Sequence, residues 1–343
     1  MSAPRCPRCD RFAFLDELEC RHCGAALGFH HPSLRYRLAD PAGVDVDGMR
    51  WFPCGNRPWG CNWLVAEDAG TGRCLSCSTS RRLPPQSDTV AWEKLADAGV
   101  AKRRLMVQLL QLGLPITPYY EREGGLGFDL LSSISEGAPV MIGHANGIIT
   151  IDLAETLDAR REALRVSLGE PYRTMLGHFR HEIGHYYQNV LITDDTTWSE
   201  CRALFGDERA SYRDALDRHY RLGAPEDWRA SFISEYATMH PWEDFAECFA
   251  HYLHIQATLD TAAAAGMVLD AERAGRIVDH DVVPASAYPD AERMLQDWRW
   301  VSLFFNRVNR AMGQRDLYPF ELPPPVHAKL GFIHRLITER GAA

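Results

Sequence analysis

Apolar positions recur with helical spacing from residue 92 to residue 112. Leu95, Val100, Leu105, Val107, Leu109, Leu110 and Leu112 are the core-facing candidates, and Lys102-Arg103-Arg104 then reads as the solvated face. The period shortens over residues 126–153. Phe128-Asp129-Leu130-Leu131 predicts one strand, and residues 139–144 and 148–153 predict two more. The intervening Ala145-Asn146-Gly147 predicts a hairpin turn. Such a hairpin either covers a core or offers an edge on which an extended peptide can pair. Gly124-Gly125-Leu126-Gly127 is too short for a phosphate loop and reads as a turn. Residues 155–168 read as a charged helix, and Glu170-Pro171 starts the next, whose apolar flanks surround residues 181–185. Residues 194–235 read as helices and loops. Helices follow over 241–258 and 290–312, the second turning Trp298, Trp300, Phe304 and Phe305 toward the core. Pro319 and Pro323-Pro324-Pro325 break the tail before a last short helix.

Leu83-Pro84-Pro85-Gln86-Ser87-Asp88 has linker composition. It divides the expected organisation into residues 1–82, a linker over 83–92, and a domain over 93–343. The 343 residues, 46% hydrophobic and 24% charged, suit a globular chain with a sizeable core. No run of eighteen apolar residues offers a membrane span. The start, Met1-Ser2-Ala3-Pro4-Arg5-Cys6, lacks an apolar signal core, so the cytosol is the expected compartment. The net charge is −9. Residues 1–82 carry 11 basic and 9 acidic residues, leaving 26 against 37 beyond them. A body of that sign argues against non-specific nucleic-acid binding.

Eight of the ten cysteines fall within residues 6–77. Cys6-x2-Cys9-x10-Cys20-x2-Cys23 joins two tight turns, each presenting two thiolates, and together they complete a tetrahedron. A structural zinc is the natural occupant; iron also fits four cysteines. Cys54-x6-Cys61-x12-Cys74-x2-Cys77 reads as a second four-cysteine zinc site with a longer first loop. His22, His30 and His31 stand nearby, but four cysteines make them unnecessary as ligands. Little in residues 1–80 forms an evident core, so folding through zinc is expected there, with Trp51, Trp59 and Trp63 around the second site. Cys201 and Cys248 read as reduced packing residues.

His181-Glu182-Ile183-Gly184-His185 carries the densest chemistry. At ~100° per residue, the two histidines point within about 40° of each other one turn apart, and both can grip one metal. Glu182 projects beside them, where it can take a proton from a metal-activated water. Burying these groups without a partner would be costly. A catalytic zinc needs a third protein ligand and an open position. Downstream, Pro241 suits the first turn of a helix on which Glu243, Glu247 and His251 share a face. Glu243 is assigned as the third ligand. Glu247, one turn on, is placed to hydrogen-bond a ligand histidine and fix its tautomer. His178, His251 and His254 read as packed or hydrogen-bonded histidines outside the metal set.

The two halves of this pattern resemble the gluzincin metallopeptidases, in which HExxH is followed by a distant glutamate on a second helix; the catalytic domain of anthrax lethal factor is the nearest form. Tyr236, seven residues before Glu243, matches a tyrosine that stabilises the oxyanion there, so the resemblance implies that role for Tyr236. The chain is also similar to a bacterial family of zinc-binding metallopeptidases with amino-terminal zinc ribbons. The residues carrying that likeness are Cys6-Pro7-Arg8-Cys9, Cys61-Asn62-Trp63-Leu64-Val65, residues 177–187, residues 240–247 and Asp316-Leu317-Tyr318-Pro319-Phe320. The expected fold is therefore α+β: a mostly helical gluzincin-like domain with a small sheet, preceded by a zinc-ribbon module with two four-cysteine sites. The expected activity is peptide hydrolysis with one catalytic and two structural zinc ions, acting on a peptide or protein substrate without a membrane. The alternatives are a ribbon module that binds protein or nucleic acid on a silent peptidase fold, and cysteines that gate the enzyme as a redox or zinc sensor.

Overall fold

Short antiparallel pairs follow the first cysteine knuckles. Beyond Cys23, β1 (Leu27–His30) pairs antiparallel with β2 (Arg35–Leu38). Then β3 (Val44–Val46), β4 (Met49–Pro53) and β5 (Leu64–Ala66) form a three-stranded antiparallel sheet. Small cores hold these pieces. Val46, Trp51 and Leu64 cluster under the sheet. The Phe29 ring lies 5.8 Å from Tyr36 and 5.4 Å from Trp63. The amino-terminal region therefore has apolar packing of its own beside the cysteines. Trp51 and Trp63 are buried, whereas Trp59 is exposed and leans on Trp92.

In this computed structural model the described residues are 4–154, 174–270, 272 and 280–340. The chain divides into two compact units, Ser2–Arg161 and Glu162–Ala343. The 83–92 segment runs inside the first unit, because β6 (Ser80–Arg82) precedes it and pairs parallel with β7 (Gly127–Leu131). Helix α1 (Thr89–Gln111) makes the crossover that a parallel pair requires. Asp88 caps it by accepting from Ala91 N at 3.0 Å. β7 pairs parallel with β9 (Ile148–Asp152), and β8 (Gly143–Ala145) lies antiparallel at the edge. The predicted hairpin turn forms with Asn146 at φ 49° and Gly147 at φ 82°. A mirror-image turn of this kind needs both residues at positive φ.

One expectation for α1 is overturned. Lys102 and Arg103 are buried, and only Arg104 of the three is exposed. Lys102 Nζ donates to Ser80 Oγ at 2.7 Å and sits 4.3 Å from the Phe128 ring centroid. Arg103 Nη2 donates to the Gly60 carbonyl at 2.9 Å. The helix lies over the Cys61–Cys74–Cys77 knuckle; burial pushes the Lys102 ammonium down to about 7, and the negative charge of Cys77 and Cys74 opposes that shift.

The second unit is helical. Its helices are α2 (Met175–Leu191), α3 (Asp195–Phe205), α4 (Tyr212–Leu222), α5 (Pro241–Ala264), α6 (Ala291–Ala311) and α7 (Pro324–Arg340). A two-residue pair, β10 (Val268–Leu269) with β11 (His280–Asp281), joins them. The charged helix expected over 155–168 and the start expected at Glu170-Pro171 lie outside the described residues. Thr174 caps α2 by accepting from Gly177 N at 3.1 Å. α5 is central, buried along most of its length through Phe245, Phe249, Leu253 and Ile255, and packs on α2, α3, α6 and α7. Two further readings are corrected. α6 buries Trp298 but leaves Phe304 exposed, because periodicity names an apolar stripe without saying which part is covered. Pro324 and Pro325 do not break the tail; they form the first turn of α7, where no intrahelical donor is needed. Among the described residues no helix is long and apolar enough to cross a membrane.

Candidate metal centre

The centre is built where α2 crosses α5. Gly184, inside the HEIGH stretch, makes the crossing possible: a Cβ there would lie 2.9 Å from Ala246 Cα and 3.1 Å from Ala246 O. On α5 the residues either side of Ala246 are those of the expected site. His240 caps that helix, its Nδ1 accepting from Trp242 N at 3.1 Å and its Nε2 donating to Ala210 O at 3.1 Å. Pro241 follows, and Glu243 falls in the first turn, where the helix dipole favours a carboxylate.

His181, His185 and Glu243 each offer a ligand atom, and the three atoms lie within 4.8 Å of one another. Glu243 Oε2 is 2.9 Å from His181 Nε2 and 3.4 Å from His185 Nε2. Yet Oε2 makes no hydrogen bond among the described residues. On the far side of the ring, His181 Nδ1 lies 2.7 Å from Glu247 Oε1. The second oxygen of Glu247 accepts from Ser234 Oγ at 2.5 Å. An ionised carboxylate only accepts, so Nδ1 carries a proton and Nε2 is turned toward Glu243. Nε2 and the carboxylate oxygen it faces attract a cation between them, a proton or a metal ion, and the donor set suits zinc.

The electrostatics agree. Burial opposes charge on His181, but the carboxylates of Glu243 and Glu247 outweigh it and push its pKa well above the ordinary range. Burial likewise opposes charge on Glu243, and the His185 and His181 rings hold its carboxyl well below the usual range. The residues thus attract positive charge to the space they enclose.

Glu182 projects from α2 beside this cluster. Its Oε1 lies 3.2 Å from His178 Nε2, and its buried Oε2 has no hydrogen-bond partner among the described residues. Burial raises its carboxyl, but His178 and His181 more than compensate and keep it ionised. The Tyr236 ring stands 5.9 Å from the His181 ring. Burial and then the Glu243 charge hold the Tyr236 phenol above its usual range, so it remains a donor. Its hydroxyl bonds that of Tyr212, which in turn donates to Glu243 Oε1 at 2.9 Å.

Tyr212 and Ser234 had no signal in the sequence. Neither keeps a motif spacing to residues 181–185, and both reach the centre only through the fold. His251 and His254 stay outside it. His251 Nδ1 lies 2.8 Å from Tyr318 Oη, and His254 Nδ1 lies 2.7 Å from Arg180 Nη1.

Residues 90–336 match the family model described as "Putative zinc-binding metallo-peptidase". The chain belongs to this family. Residues 4–88 of this zinc-binding metallo-peptidase family member match a zinc-ribbon domain. It is similar to proteins of Mycobacterium bovis and of two Mycobacterium tuberculosis strains, each named an uncharacterized protein. Each is 45% identical over 338 residues, covering 97% of this chain and 94% of the relative. No solved structure matches the chain.

The ribbon region of this family member gathers its cysteines as their spacing predicts. Cys6, Cys9, Cys20 and Cys23 form one group, and Cys54, Cys61, Cys74 and Cys77 form another. Sγ–Sγ separations are 3.7 Å for Cys6–Cys23 and Cys9–Cys20, and 3.6 Å for Cys61–Cys74 and Cys61–Cys77. A tetrahedron with zinc–sulfur bonds of about 2.3 Å has edges of about 3.8 Å. A disulfide needs about 2.05 Å, and all ten cysteines are free thiols. The four-sulfur groups therefore fit zinc. None of His22, His30 and His31 enters them. Cys201 and Cys248 are buried elsewhere, and burial pushes the Cys201 thiol up to about 12, the mark of a packing residue rather than a nucleophile.

Proposed function

We propose that this protein is a zinc-dependent peptidase of gluzincin type, with His181, His185 and Glu243 as the ligands of a catalytic zinc and the two four-cysteine groups holding structural zinc. The convergence of two imidazole Nε2 atoms and one carboxylate oxygen from separate helices, all within 4.8 Å of one another, carries this reading.

Zinc bound there supplies Lewis acidity and lowers the pKa of water toward ~7. The chain's own residues supply the rest. Glu182, ionised and with its Oε2 unengaged among the described residues, accepts the proton of the attacking water and delivers it to the leaving amine. Tyr236, kept protonated, donates to the oxyanion that develops on the scissile carbonyl. Glu247, itself held by Ser234, fixes the tautomer and orientation of His181. The substrate is a peptide or protein, and the ribbons are a surface for a protein partner. Ten unpaired thiols, eight of them gathered for metal, suit a reducing compartment such as the cytosol.

A peptide-library digest compares wild type with Glu182→Gln. The variant should keep its zinc and lose cleavage; equal activity in both overturns the assignment of Glu182. Zinc content separates the rival reading, in which the ribbons bind a partner on a silent fold. About three ions per chain fits the enzyme, and about two fits the rival.

A further inference from the structure

The first residue of α4 reaches back into the metal centre. Tyr212 is 37% exposed, with its ring 5.3 Å from that of His240 and 6.3 Å from that of Trp242. Its hydroxyl donates to Glu243 Oε1 at 2.9 Å and is bonded by Tyr236. The two oxygens of Glu243 therefore have different surroundings. Oε2 faces the nitrogens of His181 and His185, while Oε1 is engaged by the phenol. A carboxylate binds a metal through one oxygen or through both. Binding through both would fill a coordination position that a catalytic zinc must keep open.

We infer that Tyr212 is a positioning residue that restricts Glu243 to one donor oxygen and so preserves an open position on the metal. Its consequence for turnover rests on the peptidase reading above; the restriction itself concerns only how this chain presents its ligands. The phenol is suited to the task. It stands at the rim of the site on an otherwise exposed helix face, so it can hold Oε1 without contributing a ligand.

The test uses the full-length protein. A chelator removes the labile metal, and one equivalent of cobalt(II) is added back. Occupancy of the histidine–glutamate site is confirmed by the absence of thiolate-to-cobalt charge-transfer bands. Four-coordinate cobalt(II) absorbs visible light more strongly than five-coordinate cobalt(II). Tyr212→Phe should weaken and shift the visible bands, while Tyr236→Phe, which leaves the Tyr212–Glu243 bond in place, should not. Zinc stoichiometry should be the same in all three proteins. On the peptide library, Tyr212→Phe should lower kcat by about 10–100-fold with little change in KM. Superimposable cobalt spectra for wild type and Tyr212→Phe overturn the proposal, while the peptidase reading stands if wild type cleaves and Glu182→Gln does not. A changed spectrum in a protein that cleaves nothing upholds the restriction and overturns the peptidase reading. Wild type that takes up no cobalt outside its cysteine sites overturns both.

Discussion

Gly184 meets the backbone of Ala246 so closely that any side chain at 184 would collide with it, a Cβ lying 2.9 Å from Ala246 Cα. This contact sets the spacing between the helix that carries His181 and His185 and the helix that carries Glu243 and Glu247. In an exposed helix, replacing Gly by Ala adds about 1 kcal/mol of stability. Here the added methyl meets rigid backbone. Gly184→Ala should instead destabilise the protein by about 1–3 kcal/mol and weaken zinc binding at the histidine–glutamate site, leaving both cysteine sites filled. Thermal unfolding with and without zinc, alongside metal analysis, checks this. A variant as stable and as metal-rich as wild type would show that the helices are not set by this contact.

Glu247 is held at both oxygens, by His181 Nδ1 at 2.7 Å and Ser234 Oγ at 2.5 Å. Ser234→Ala leaves a buried carboxylate oxygen short of its donor, at a cost of about 1–3 kcal/mol. Glu247→Ala removes the acceptor that fixes the His181 tautomer, and should lower zinc affinity or turnover by about 10–100-fold. Competition against a chromophoric chelator measures the affinity. Equal affinity and equal turnover in Glu247→Ala and wild type would remove Glu247 from the site.

The features read correctly from the sequence are those whose geometry is local. A Cys-x2-Cys turn brings two sulfurs together by itself, and four residues along a helix bring His181 and His185 together. Asn146-Gly147 specifies its own turn, since both residues accept positive φ. Glu243 and Glu247, though distant in the chain, could be singled out by their own spacing on one helix face; features that depend on distant chain without such a pattern were not legible. The parallel pairing of β6, β7 and β9 joins segments separated by a long helix and loops. Lys102 and Arg103 look solvated until residues 60–80 are folded against them. Tyr212 and Ser234 become neighbours of the centre only through tertiary packing.

Three groups among the described residues have metal-ligating geometry, so metal removal should proceed in distinct stages. Cys77→Ser should lose one zinc per chain and loosen the Cys54–Cys77 loop without emptying the His181–His185–Glu243 site. Loss of near-ultraviolet dichroism from Trp51 and Trp63, both buried near this knuckle, should accompany it. Full zinc content in Cys77→Ser would mean that the second four-cysteine group is not a zinc site.

Asp244, beside the ligand Glu243, forms a buried pair with Lys329 of α7 at 2.5 Å; Lys329 also donates to the Ser231 carbonyl at 3.0 Å. Burial pushes the Asp244 carboxyl up to about 6 against the opposing pull of Lys329. Its folded pKa is thus above the unfolded one, near 3.9. The folded protein binds this proton more tightly than the unfolded chain does, so the stability it contributes is complete below about pH 4 and declines as pH rises through about 6. Lys329→Met removes the pull of the cation and drives the carboxyl higher still. At neutral pH the variant either ionises Asp244 without a partner or keeps it protonated against the solution. Breaking a buried pair in this way costs about 3–5 kcal/mol. At pH 4–5, where Asp244 is protonated and the cation of wild type has lost its partner, the deficit should shrink. Denaturant unfolding of both proteins from pH 4 to pH 8 reads the difference directly. A deficit that stays constant or grows on acidification would show that Lys329 acts through its packing against Phe232 and Phe205 rather than through its charge.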